Sequence, residues 1–451
     1  MIMIAQDRIG YLGSRKDISA WTLEASQEQA REAFFTAKRL DMQRSKEVQR
    51  QTLVVHMDKN SIPGMKSRGS AQVSLPASCS RAELESLVDT AVERALVSQG
   101  PGWDLPAAKD GKPDAQIKVL LTDPRDSELL SLMNTAQKVV FMAEEASALS
   151  AHFAALEFFV SSRKHHFTSS SGVDRTWADI LLEVELVCHS GKKNEEAEIV
   201  ESWSACLKQG NADDSWKEEL KQAAARLLKR TAARSKALPL PSNLNVPVLL
   251  RGAAIEEFFS HFFYRSGAAQ VRMGSSDADI GKPIVEYELG GDLLSFGFDP
   301  EQAFSAANKP VDSDGFPLER RVLVQDGRLL ALDGPVRHAA ALGIEAVGDC
   351  ASRWLSPGKL DIKELKDTKY LEAIAFSDFF MEASSGDFGG EMRLAILHEG
   401  DTHIPYSGGS ISGSLAGEAK QLRFSSHCER HDAFYGPDAV LLSKARITGA
   451  Q

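Results

Sequence analysis

The spacing of apolar and polar positions changes period several times along the chain, and each change marks an expected element. Residues 20–45 (AWTLEASQEQAREAFFTAKRLDMQRS) are rich in Glu, Ala, Gln and Arg, with Phe34, Phe35 and Leu40 as apolar anchors. That composition predicts a helix. VQRQTLVVHM (48–57) and SAQVSL (70–75) are short β-branched runs on either side of the turn signal NSIPG (60–64). Ser80 and Glu83 form a capping-box pair. Leu84, Leu87, Val88, Ala91, Val92 and Ala95 follow at the spacing of one packed helical face. Residues 100–117 read as a Pro/Gly/Asp loop, and a further helix is expected from about Ser127 to Leu149. Two or three strands should surround a Ser/Gly turn at 169–172, and a charged helix should cover about 214–235.

SKALPLPSNLNVP (235–247) holds three prolines, each of which fixes φ and removes a backbone donor. It predicts a connection rather than an element. Beyond it come a short strand, a helix over 253–264 and then Gly-rich strand patterns. These include a hairpin over 322–332 with its turn at Asp326-Gly327. No internal repeat is visible. The pattern predicts an α+β protein of two domains. The first, 1–235, would be a mixed sheet with flanking helices. A linker, 236–247, would lead to an antiparallel β-rich domain, 248–451, with few helices.

Length agrees, since 451 residues fit about three domain-sized units or two larger ones. The net charge of −11 excludes attraction to nucleic acid or to an anionic membrane by long-range field. The most apolar stretch, Leu149–Val160, is too short to span a bilayer. The amino terminus has no signal-peptide core. Five cysteines (Cys79, Cys188, Cys206, Cys350, Cys428), never in a CxxC, suit a reducing compartment. A soluble cytoplasmic protein without nucleic-acid or membrane partners is expected.

Two clusters could carry chemistry. In AIEEFFSHFF, Glu257 and His261 lie four residues apart on one helical face, beside Glu256. Zinc peptidases often place two His on one helical turn with an adjacent Glu as general base. Here Glu256 stands where the first His would be, so Glu256 and His261 could form half a zinc site. They also suit a plain helix with an acidic first turn and one buried His. In SSHCERHDAFYG, His427, Cys428 and His431 are three potential ligands within five residues, or else a polar loop with a free thiol. If His261 met Cys428 across the fold, the two clusters would support one another. His165 and His166 are adjacent, point to opposite faces of a strand, and read as surface or turn residues. The Gly pairs at 290–291, 389–390 and 408–409 are not phosphate loops, and no nucleotide-binding motif or GxSxG elbow is present. The Ser-Gly tracts read as turns, and their small side chains would also let a peptide backbone approach a sheet edge.

Several stretches, in order, resemble the TldD/PmbA family of zinc-metallopeptidase subunits, the modulators of DNA gyrase. RGSAQVSL with the helix SRAELESLVDTAVERAL resembles the family's N-terminal domain, and FTSSSGVDR its strand-turn motif. PVLLRGAAIEEFFSHFFYRSGAAQVRMGSSDADIGKPI resembles the start of its C-terminal domain. PVDSDGFPLERRVLVQDGRLLALDGPVRHAAALG and EASSGDFGGEMRLAILHEGDTHIPYSGGSISGS resemble later parts of that domain. In the family's catalytic subunits the helix carries His-Glu-x-x-x-His, and a Cys near the C-terminus completes a zinc site. The PmbA/TldE-type subunits have a degraded motif and pair with a catalytic partner. Here His261 matches the second His, Glu257 the Glu, Glu256 replaces the first His, and Cys428 lies near the family Cys. The glycine-rich surroundings of that Cys are not reproduced.

The resemblance therefore implies a PmbA/TldE-like, non-catalytic subunit. A TldD-like partner would hold the zinc of a heterodimer that degrades or processes peptides, leader peptides of modified peptides among them. It leaves two alternatives. One is an active peptidase with Glu256, His261 and Cys428 on zinc and Glu257 as general base. The other is a non-enzymatic, protein-binding modulator.

Overall fold

The computed structural model describes residues 6–62, 65–108, 126–191, 197–207, 213–242, 244–286, 291–365 and 368–450. The first part of the chain builds one antiparallel sheet from long strands. Helix α1 (Gln6–Ser14) is followed by β1 (Ala20–Thr36), β2 (Arg39–Ile62) and β3 (Met65–Leu75). Helix α2 (Arg81–Val97), β4 (Gln99–Pro101) and helix α3 (Asp126–Glu145) follow, then β5 (His152–Ser169), β6 (Asp174–Ser190), β7 (Ala197–Leu207) and helix α4 (Ser215–Arg234). The order across the sheet is β4-β3-β2-β1-β5-β6-β7, which leaves β7 at one edge.

The helix expected over 20–45 is instead most of a hairpin, paired from Ala20 opposite His56 to Thr36 opposite Arg39. Its helix-forming residues are held by tertiary pairing, which overrides propensity. Glu28 lies 3.6 Å from Lys46 and 3.9 Å from Arg50, Gln27 donates to Glu47 at 3.0 Å, and Glu32 pairs with Arg44 across the strands. Between these, Leu23, Ala25, Ala33 and Phe35 are buried. The turn places Ala37 at φ 51°, a left-handed position that normally attracts Gly or Asn. A chain with neither residue there carries no turn signal.

Other expectations stand close to the structure. Ser80 and Glu83 form both halves of the capping box on α2. The hairpin at Asp326-Gly327 has both turn residues at positive φ, 48° and 79°. His165 and His166 lie toward the C-terminal end of β5, paired to strands on both sides, rather than in a turn. His166 is buried and bonded to Asp174 at 2.8 Å, and His165 stacks on Trp177. The turn NSIPG and the loop 100–117 fall partly outside the described residues, as does Gly290 of the first Gly pair.

Helices α3 and α4 pack on the β5–β7 end of the sheet through Leu129, Met133, Trp216, Leu220 and Leu227. This cluster also includes Leu394, so α4 touches the second half of the chain. The Pro-rich segment contributes structure of its own. Leu238–Pro239 runs parallel to Tyr406–Ser407, and Leu240 is buried in the C-terminal core. A proline tolerates this site because an edge strand needs donors on one side only.

The second half forms a nine-stranded and a six-stranded sheet around helix α5 (Ala254–Arg265). Ile255, Phe258, Phe259 and Phe262 all face inward with 1 % exposure or less. Phe259 lies 5.5–6.1 Å from the rings of Phe258, Phe262, Phe424 and Phe434. Burying four large side chains fixes the rotation of α5 about its axis, and with it the direction of every polar residue on that helix. The architecture is α+β. Among the described residues, no helix is long and apolar enough to cross a membrane.

Candidate functional site

The strand Val248–Arg251 turns into α5 at Gly252, where φ is +75° and an added Cβ would lie 2.9 Å from the carbonyl of Ile374. Only glycine meets both conditions without strain. The close approach brings the first turn of α5 against the strand Tyr370–Met381 and opens a cleft of about 670 Å³ beside it. The cleft is walled by β7 (198–204), α4 through Arg226 and Arg230, residues 374–379 and residues 429–432. Glu256 and Glu257 enter it from α5.

Among the described residues, both strand walls have an edge with no strand beside it. β7 is the last strand of its sheet. Tyr370–Met381 pairs with Val248–Arg251 only through Leu371–Ala373, so residues 374–381 have no strand on that side among the described residues. The pairing of Tyr370–Met381 with Asp387–Glu399 is also irregular, with register shifts between Ala373 and Asp378. Bulges of this kind re-aim a strand and recur beside functional sites.

The charges of the cleft are mostly paired across its walls. Arg226 meets Glu429 at 2.8 Å, Arg230 meets Glu201 at 2.5 Å, and Arg430 meets both Glu219 and the Ser204 carbonyl at 2.8 Å. Among the described residues, Glu256 has no cationic partner. Burial, then Asp432 and Glu257, push its carboxyl up to about 7. Glu257 accepts from the Met381 amide at 3.4 Å.

His261 is 6 % exposed, and its Nδ1–H donates to the Ala383 carbonyl at 2.7 Å. Its charged form is disfavoured by burial, so the imidazole is neutral with Nε2 free of the proton. A ligating His is oriented by the same kind of backbone bond. Its surroundings, however, are the turn at Gly386, where an added Cβ would lie 3.2 Å from the ring. Cys428 begins the strand Cys428–His431, and burial followed by Asp438 pushes its thiol up to about 11. His427 is exposed, with Nδ1 3.4 Å from Asp438. His431 lines the cleft with its Nε2 buried and unpartnered. Strand alternation sends Cys428 and His431 to opposite faces, so these near neighbours in sequence do not converge.

Glu256, His261 and Cys428 share no hydrogen bond, ion pair or electrostatic contact with one another. Among the described residues, no three His, Cys, Asp or Glu side chains are placed to hold a metal ion. A tetrahedral zinc needs three or four donors about 2.0–2.3 Å from one point, and this set does not fit it. The arginines and the free edge at 374–381 went unseen in the sequence. Arg226 and Arg230 carry no motif, and the edge exists only because the neighbouring strand stops at Gly252.

Comparison with known proteins bears on the same half of the chain. Residues 243–449 match the model of the PmbA/TldA metallopeptidase C-terminal domain. Comparison with curated protein sequences finds no match. Among solved structures, TldE from Thermococcus kodakarensis is similar with a TM-score of 0.71 and 16% identity, over 99% of this chain and 100% of that one. A candidate modulator of a DNA gyrase from Thermotoga maritima is similar at 0.71 and 15% identity, over 98% of each chain. Another, from Bacteroides thetaiotaomicron, reaches 0.70 and 14%, over 99% of this chain and 98% of that one. At these identities the structural likeness is one of fold.

Proposed function

The chain carries a C-terminal domain of the PmbA/TldD type over residues 243–449, and on that premise we propose that it is the supporting subunit of a heterodimeric zinc metallopeptidase. A TldD-like partner holds the zinc and performs the hydrolysis, on peptides that include leader segments of modified peptides, in the cytoplasm. The observation that carries this reading is Glu256. It occupies the place of the first helix His in the resemblance, points into the cleft and makes no contact with His261 or Cys428. The Cys428 thiol also bears its proton at neutral pH, and a metal must displace it before it binds.

What this chain supplies is a place for an extended peptide. The edge at 374–379 and the outer edge of β7 both border the cleft. A strand laid between them gains main-chain hydrogen bonds with little dependence on side chain, as in other strand-addition complexes. The ion pairs Arg226–Glu429, Arg230–Glu201 and Arg430–Glu219 tie the walls of the cleft to one another. Zinc, when bound by the partner, supplies the Lewis acid and activated water of peptide hydrolysis.

The test is zinc content by elemental analysis, on the chain purified alone and after co-expression with its nearest TldD-like relative. No zinc alone and about one per pair, unchanged by Cys428→Ser in this chain, is the expected result. About one zinc per isolated chain, lost on Cys428→Ser, would overturn the proposal and make Glu256, His261 and Cys428 a working site with Glu257 as base. No zinc in either preparation, with no peptide hydrolysis, would leave a protein-binding modulator.

A further inference from the structure

Next to the cleft lies a smaller pocket of about 280 Å³, which shares Glu198, Ser377 and Arg393 with it. Arg234, at the end of α4, and Arg393, on the strand Asp387–Glu399, both line this pocket. The two guanidiniums are half-buried and close enough that the charge of Arg393, after burial itself, lowers the pKa of Arg234. Neither has a carboxylate within ion-pair distance among the described residues. Arg234 donates to the Glu198 carbonyl, and Arg393 donates from Nε to Ser377 Oγ at 3.4 Å. The Glu198 carboxylate bonds His189 at 3.0 Å and attracts Arg234 less than Arg393 repels it, and Glu391 is exposed at the rim.

Two like charges held side by side out of full solvent repel one another, and an anion between them would relieve that repulsion. Guanidinium forks match a carboxylate in shape and donor number. Glu198 and Glu391 in the lining oppose a dianion such as phosphate more strongly than a single carboxylate. The pocket is continuous with the cleft, so the monoanion nearest to hand is part of the chain lying in it.

We propose that Arg234 and Arg393 form a carboxylate subsite at the end of the peptide cleft, receiving the carboxylate of a bound peptide and fixing its register along the edge at 374–381. This inference rests on the reading of the cleft as a peptide groove. The carboxylate comes from the peptide's C-terminus or from an acidic side chain near it.

Fluorescence anisotropy with the full chain and a fluorescein-labelled, unstructured Ala/Ser decapeptide separates these cases. Three forms are compared: the free acid, the C-terminal amide, and the amide with Glu at the last position. A charge-assisted pair of hydrogen bonds predicts that a carboxylate-bearing form binds about tenfold tighter than the plain amide. Arg393→Gln should abolish that difference, while Arg393→Lys retains part of it. A gain for the free acid alone identifies the terminus as the source, and a gain for the Glu peptide alone identifies the side chain. Equal binding of all three forms to the unaltered chain refutes the subsite and leaves the groove intact. No binding of any form refutes the groove and the subsite together.

Discussion

Asp312 offers a test of the fold's electrostatics that is independent of the cleft. It is 2 % exposed, and its Oδ1 accepts from the amides of Asp314 and Phe316, both at 2.9 Å. Its Oδ2 is buried and unpartnered. Burial first, then the neighbouring Asp314, push the carboxyl from its ordinary 3.8 up to about 7. A raised carboxyl pKa means that the folded state binds more protons than the unfolded one. Its contribution to stability is therefore present at low pH and is lost as pH rises between about 4 and 7. At about 1.4 kcal/mol per pH unit, the ionised side chain costs the fold on the order of 4 kcal/mol at pH 8. Asp312→Asn keeps the accepting oxygen and removes the charge. It should raise stability at pH 8 by roughly that amount and make no difference near pH 4. Asp312→Ala also removes the charge but orphans two backbone donors, so it should lie about 2–4 kcal/mol below Asp312→Asn at every pH. Urea midpoints from pH 4 to 8.5 for the three proteins check this. Parallel curves for the native chain and Asp312→Asn would refute the reasoning.

Two further outcomes follow from the packing around α5 and the cleft wall. Phe259→Ala opens a cavity among four aromatic rings and should cost about 3–5 kcal/mol, read as a lower urea midpoint with unchanged far-UV circular dichroism. Arg430→Ala breaks the bonds to Glu219 and Ser204 that tie Cys428–His431 to α4 and β7. It should cost about 2–4 kcal/mol and speed hydrogen exchange in residues 428–437, while exchange in β1 and β2 stays as it was.

What could be read from the sequence depended on whether the signal was local. The capping box at Ser80, the Asp326-Gly327 hairpin and the inward face of α5 are set by residues within one or two turns of each other, and they emerge from the pattern alone. β1 does not. Its Glu, Gln and Ala residues favour a helix, and only the pairs with Arg44, Lys46 and Glu47 on β2 make a strand of them. Ala37 in a left-handed turn removed the last local clue. The site divides in the same way. That Glu256, Glu257 and His261 share a short helix was legible. Their separation into a cleft wall and a buried turn was not, because it depends on Gly252 meeting Ile374 and on the turn at Gly386 closing over His261.

Protonation alone does not decide whether this chain can hold zinc. Stripping the proton from Cys428 at pH 7, against a thiol pushed up to about 11, costs about 5 kcal/mol. Glu256, near 7, adds little. A structural zinc site returns roughly 10–16 kcal/mol, enough to offset both. That return requires three or four donors around one point. Here the imidazole is held by Ala383, the thiol lies beside Asp438, and the carboxyl faces Asp432 across the cleft. Turning α5 about its axis to carry either of its donors toward Cys428 would expose Phe258, Phe259 and Phe262. Each of those rings contributes a few kcal/mol by its burial. The aromatic face that makes α5 a helix of the core therefore also holds Glu256 in the cleft and away from the other two donors.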